Sequence, residues 1–235
     1  MADQTPRYAV YFVPAAESGL YRFGSSVLQY DCYTGGPLLP PEECAPDAAT
    51  WRNATEEPRP YGFHATLKAP FRLAPSCTET QLVSAFRSFA ALGRKATAIE
   101  PEIRMLSGFT ALLPARESLA VDALAADCTT IFDAFRAPMS PQERARRLAS
   151  GLNPSQIGNL DRWGYPYLFA DFRFHMTLTG KIAADRREPV VATLRRAFAR
   201  MCGAGPVAID RLALVRQEAA DQTFRVLDHA PLRTA

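Results

Sequence analysis

Apolar and polar residues alternate with a period of two in two short runs of this chain, YGFHATLKAPF from Tyr61 and FRFHMTLTG from Phe172. That period predicts a β-strand in each, with side chains two apart sharing a face. His64, Thr66 and Lys68 then fall on one side of the first strand, with Phe63, Ala65 and Leu67 on the other. In the second, Arg173, His175, Thr177 and Thr179 face away from Phe172, Phe174, Met176 and Leu178. The run YAVYFV at 8–13 predicts a further strand and 17–28 a helix. Helical spacing of apolar residues predicts helices over 79–92 and 188–201. Each is followed by a strand pair, 102–106 with 109–113 and 207–216 with 223–227. Helices are also expected over 118–135 and 141–148, the second opened by Ser140 as cap and Pro141 in the first turn. Pro, Gly and acidic residues make 32–60 an expected extended loop, either a lid or a surface excursion, and 151–172 reads as an ordered loop.

The succession of motif strand, helix and strand pair thus occurs twice, the mark of a duplicated unit. The fold expected is α+β: two pseudo-symmetric lobes, each an antiparallel sheet with outer helices, around a central cleft carrying both His-x-Thr motifs. The 235 residues, 48% of them hydrophobic, suffice for one bilobal domain, with the first lobe at roughly 1–116 and the second at roughly 117–235. A net charge of +3 is too small to announce a long polyanion track, and the arginines at 144, 146 and 147 read as a solvated helix face. Five scattered cysteines without a Cys-x-x-Cys pair indicate neither a disulfide framework nor a zinc cage. The amino terminus lacks the build of a signal peptide and no apolar run reaches membrane-spanning length, so a cytoplasmic protein without a membrane partner is expected.

A single strand histidine more often fills a structural role than a chemical one. Here two of the three histidines occupy equivalent places in repeated surroundings, which favours chemistry. Phosphodiester cleavage needs a base for the attacking water, an acid for the leaving oxygen and donors for the non-bridging oxygens. His64 and His175 are the candidate acid and base. Thr66 and Thr177 are the candidate hydroxyl donors, and Lys68 and Arg173 the candidate phosphate-binding cations. Arg72 and Arg216 are further cations near the motifs. No histidine pair has metal-ligand spacing, and no Gly-x-Ser-x-Gly signature marks a nucleophile. His229 reads as part of an exposed terminal loop, and Trp163, Tyr165 and Tyr167 as core filler before stacking platforms.

Two His-x-Thr-hydrophobic motifs on strands, one per lobe, resemble the two-histidine phosphoesterase superfamily, which includes RNA ligase-like cyclic phosphodiesterases. The longer phrases YGFHATLKAPF and WGYPYLFADFRFHMTLTG are similar to a bacterial branch associated with phosphonate-utilisation operons. The resemblance implies the same roles for both histidines and both threonines, without metal or other cofactor. It also implies hydrolysis of a cyclic phosphate or other small phosphodiester. A ribose cyclic phosphate from phosphonate breakdown is the substrate candidate, its second phosphate held by cleft cations. The alternatives are processing of RNA ends bearing a 2′,3′-cyclic phosphate, and a phosphate- or nucleotide-binding module without turnover.

Overall fold

The computed structural model describes residues 5–92 and 97–232. In chain order the elements are β1 (Arg7–Phe12), α1 (Gly19–Leu28), α2 (Ala48–Ala54), β2 (Ala65–Phe71), α3 (Glu79–Ala91), β3 (Thr97–Ile99), β4 (Pro101–Leu106) and β5 (Phe109–Pro114). There follow α4 (Leu119–Phe132), α5 (Pro141–Leu148), α6 (Pro154–Trp163), β6 (Met176–Lys181), α7 (Arg187–Cys202), β7 (Val207–Ile209), β8 (Arg211–Gln217) and β9 (Arg225–Pro231). The fold is α+β. A seven-stranded antiparallel sheet runs in the order β4-β5-β6-β2-β1-β8-β9, and β3 pairs with β7 in a separate ribbon. The stretch 207–216, expected as one strand, divides at Asp210 between these two sheets.

Strands β4-β5-β6 and β2-β1-β8-β9 form two groups that meet at one register pair, Ala65↔Met176. The motif strands are therefore neighbours at the middle of the sheet, joined by little backbone pairing. Each group draws on both halves of the sequence. The β4–β5 hairpin crosses to β6 through Ala111↔Thr177 and Leu112↔Met176, while β8 pairs with β1 along Arg7↔Gln217 to Tyr11↔Ala213. Helices cross with them, α3 packing on β8 and β9 and α7 on β4. The division expected near residue 116 is thus a division of the sequence and not of the sheet. The physical reason is that β6 would expose an unpaired edge unless the hairpin from the other half supplied its hydrogen-bond partners.

The YAVYFV run is apolar throughout because both faces of β1 are covered. Val10 and Phe12 join Leu212 and Leu214 of β8 in the main core under α1, α3, α4 and α7. Ala9, Tyr11 and Val13 join Ala213 and Val215 in a smaller core on the opposite face. Residues 32–60 are more ordered than their composition suggests. They hold α2 and two 3-10 turns, and Cys44, Trp51 and Thr55 are buried. Packed in this way, the segment is structured and not an extended loop throughout. The 151–172 segment contains α6, whose Asn153 cap forms a capping box with Gln156, while Gly164 closes it in a left-handed conformation. No helix among the described residues is long and apolar enough to cross a membrane.

Candidate functional site

Both histidines stand one residue ahead of their strands and are held by the same local device. The Nδ1 of His64 lies 2.9 Å from the carbonyl oxygen of Gly62, and that of His175 lies 2.7 Å from that of Arg173. A carbonyl oxygen only accepts, so in the neutral ring Nδ1 carries the hydrogen and Nε2 presents its lone pair. For His64 that lone pair lies 3.1 Å from the Thr66 hydroxyl, which donates to it. Tyr11 of β1 stacks on the His64 ring at a centroid distance of 3.7 Å, and Phe109 lies 5.7 Å from the His175 ring. Burial pushes the His64 imidazole down to about 4, and the like charge of a protonated His175 adds to the shift. Burial likewise lowers His175. Both rings are therefore neutral near pH 7.

A cleft of about 600 Å³ opens on the sheet face opposite the large helices. His64, Thr66 and Thr177 line it, with Tyr11, Phe109 and Tyr165. The β4–β5 turn reaches its rim with Ser107, which shares positive φ with Gly108 as a two-residue hairpin turn requires. Thr179 also lines the cleft, but its hydroxyl accepts from the Thr110 amide at 3.0 Å and donates to the Gly180 carbonyl at 2.9 Å, so its polar capacity serves the strand. Among the described residues no group of three or more His, Cys, Asp or Glu side chains is placed to hold a metal ion.

Lys68 and Arg173, the two cations expected on the motif faces, are elsewhere. In β2, Tyr11 pairs with Thr66 but the preceding Val10 pairs with Lys68, so a bulge puts one extra residue between them. Cross-strand partners share a face, and Lys68 therefore follows Val10 to the helix side. It is buried there and donates to Asp133 Oδ1 at 2.8 Å and to the Thr129 carbonyl at 3.3 Å. Arg173 precedes β6, so strand alternation does not govern it. It is exposed, donates to the carbonyls of Ala170 and Phe172, and lines a different pocket with Phe172 and Phe174. Arg72 pairs with Glu143 and Arg216 with Glu79 and Glu218, also away from the cleft. His229 is exposed on β9, in a strand where a terminal loop was expected.

The cations that do line the cleft are Arg7, Arg147 and Lys181. Alternation could have found two of them: Arg7 shares the Tyr11 face of β1, and Lys181 the Thr177 and Thr179 face of β6. Nothing local marks Arg147, one of the arginines read as a solvated face. Tyr165, read as core filler, is also a cleft residue.

Residues 66–225 match the family model described as "Protein of unknown function (DUF1045)". The chain belongs to this family. Among curated relatives, "Ribose 1,5-bisphosphate phosphokinase PhnN" of Janthinobacterium sp. (strain Marseille) is 37% identical over 221 residues, which cover 92% of this chain and 49% of that protein. The protein of the same name from Laribacter hongkongensis (strain HLHK9) is 34% identical over 222 residues, or 94% of this chain and 50% of that one. The chain spans about half the length of these relatives. Solved structures that align with it include E. coli LigT complexed with NADP+, at 11% identity and TM-score 0.44 over 98% of this chain and 99% of that one. Another, described as a phosphoesterase, aligns at 14% identity and TM-score 0.41 over 97% and 99%.

Proposed function

We propose that this chain is a two-histidine phosphoesterase that opens a cyclic phosphate on a small sugar, a ribose being the favoured case, by acid–base catalysis without metal. The observation that carries the reading is the pair of imidazoles on neighbouring strands, each with Nδ1–H tied to the carbonyl two residues back. One Nε2 takes a proton from water as the water oxygen attacks phosphorus. The phosphorus–sugar oxygen bond breaks, and the other ring, protonated, gives its proton to the departing alkoxide. The products are a phosphate monoester and a free hydroxyl, and the two roles exchange in the reverse direction. Thr177 donates a hydrogen bond to a non-bridging oxygen as charge grows there, and Thr66 does so once its hydroxyl turns from His64 Nε2 to the substrate. The acid's proton is recruited with the substrate, because an anionic phosphate between two neutral rings favours the protonated form of one.

A cleft of about 600 Å³ suits a small substrate more than a long RNA. The relatives' name supports a ribose phosphate. Ring opening of a ribose cyclic phosphate yields a ribose phosphate monoester, the class of compound a ribose bisphosphate kinase consumes. The phosphate-binding pattern Gly-x4-Gly-Lys-[Ser/Thr] does not occur in these 235 residues. The phosphokinase of that name therefore belongs, in this reading, to the half of the relatives that this chain does not span.

The test is turnover of cyclic ribose phosphates and of RNA ending in a 2′,3′-cyclic phosphate, followed by phosphorus NMR with chelator present throughout. His64→Ala and His175→Ala each lower turnover by roughly 10²–10⁴, and the double variant loses less than the product of the two. Wild-type rates in either single variant, or activity that requires an added divalent metal, would overturn the mechanism.

A further inference from the structure

Ion pairing is widespread among the arginines: Arg72, Arg87, Arg136, Arg144, Arg200 and Arg216 each have a carboxylate within 4.0 Å. The cleft cations differ. Among the described residues no carboxylate lies at ion-pair distance from Arg7, Arg147 or Lys181, and the one carboxylate lining the cleft, Glu57, sits against Gly180. Arg147 goes further, because its Nε is buried and has no hydrogen-bond partner. The Nε of Arg216 is orphaned too, but its terminal nitrogens are held by Glu79 and Glu218. Arg147 combines an orphaned nitrogen with no carboxylate partner among the described residues, at a cleft wall where an acceptor would offset the cost. The Arg147 guanidinium carbon lies 5.6 Å from the centroid of the Tyr165 ring, itself on the cleft wall. Arg7 is braced by Nε donating to Gln217 Oε1 at 2.6 Å and by the Phe224 ring, which leaves its terminal nitrogens as the available fork. Arg7 and Arg147 also line a smaller adjoining pocket together, so they share one stretch of wall.

We infer that Arg147 and Arg7, on the wall carrying Tyr165, form a second anion subsite that takes a terminal phosphate monoester. The cleft thereby selects a small sugar with one phosphate at the reacting position and another elsewhere. Only the identity of the reacting phosphate rests on the two-histidine reading. Guanidinium forks match the oxygens of a phosphate monoester. The spacing also fits: Arg7 stands four residues before Tyr11, roughly 13 Å along the strand, and Tyr11 stacks on His64. A phosphorylated pentose and the reach of an arginine side chain span that gap. Helix α5 serves to deliver the cation. It buries none of its residues and is held by Arg72–Glu143 at 3.3 Å and Arg144–Asp161 at 2.6 Å.

The experiment has two arms. In the first, ribose 5-phosphate, which has no cyclic ester, is titrated calorimetrically into the wild type, Arg147→Gln, Arg147→Lys and Arg146→Gln. Arg147→Gln weakens binding roughly tenfold to a hundredfold, as expected for lost charge-assisted hydrogen bonds. Arg147→Lys falls between, because it keeps the charge and loses the fork, while Arg146→Gln, at an exposed position of the same helix that does not line the cleft, binds as the wild type does. Wild-type affinity in Arg147→Gln, an equal loss in Arg146→Gln, or equal affinity for unphosphorylated ribose would overturn the subsite. The second arm compares kcat/KM for ribose 1,2-cyclic phosphate with and without a 5-phosphate. Their ratio falls tenfold or more in Arg147→Gln, and an unchanged ratio overturns the selectivity. If the wild type hydrolyses neither ester but ribose 5-phosphate still needs Arg147, the reaction fails and the subsite stands.

Discussion

Charge burial at single residues sets two measurable properties of this molecule. Lys68 is lowered in pKa by burial, partly offset by Asp133. Burial would raise Asp133, but hydrogen bonds from Arg136 and Lys68 outweigh it and hold the carboxyl below its usual range. Replacing Lys68 with Met removes one of the cations around Asp133 and leaves Arg136 in place at 2.7 Å. The expected cost is about 1–3 kcal/mol of stability in urea unfolding, with KM shifted less than twofold, because Lys68 is not in the cleft. A KM effect without a stability loss would return Lys68 to the site. His64 contributes to the acid limb of stability, as does His175, which burial also lowers. The folded pKa of His64, about 4, lies below the unfolded value of about 6.5, so between these pH values the unfolded chain binds a proton that the folded one does not. This contribution is complete above about pH 6.5, declines by roughly 1.4 kcal/mol per pH unit as the pH falls toward 4, and then levels off. His64→Asn should make that segment of the stability profile less steep, and an unchanged slope would show that the depressed imidazole does not contribute to it.

At the scale of elements, the first histidine is positioned by the close approach of α1 to the sheet. Gly24 lies on the buried face of α1, and a Cβ there would overlap the ring of Phe63, the residue just before His64. Gly24→Ala brings two opposed effects. Alanine favours a helix over glycine by about 1 kcal/mol, whereas overpacking a full core costs about 1–3 kcal/mol. Overpacking wins here, because Phe63 is fully buried and already packs edge-on against Phe23. The variant should be less stable than the wild type and lower in turnover, as the His64 backbone shifts with Phe63. A thermal midpoint equal to or above the wild type would show that the ring has room to yield.

Across the whole molecule, the interleaving of the two sequence halves makes folding a joint event. Residues 1–116 alone would lose the β6 partner of β5 and the β8 partner of β1, and residues 117–235 would lose the same pairings from the other side. Expressed separately, neither piece should show a cooperative thermal transition by circular dichroism; mixed, they should regain one. A cooperative melt of either piece by itself would contradict this. The shared sheet also explains how two histidines distant in sequence come close: β2 and β6 are adjacent antiparallel strands, and His64 and His175, each one residue before the Ala65↔Met176 pair, flank that pair on opposite sides.

Local patterns in the chain were enough to determine most strands and helices, the repeated order of elements, and the equivalent places of His64 with Thr66 and of His175 with Thr177 in the two motifs. These features follow from periodicities of two and 3.6 that act between near neighbours. The capping residues of α6 were equally local, and Asn153, Pro154, Gln156 and Gly164 were readable as helix ends inside a segment taken for a loop. Tertiary structure alone decided where the cations stand. Lys68 is turned from the cleft by a bulge that depends on the register between β2 and β1, and no alternation within β2 reveals a register with another strand. Arg147 reaches the cleft because α5 is tethered from Arg72 and Asp161, contacts made only once the sheet has brought distant segments together.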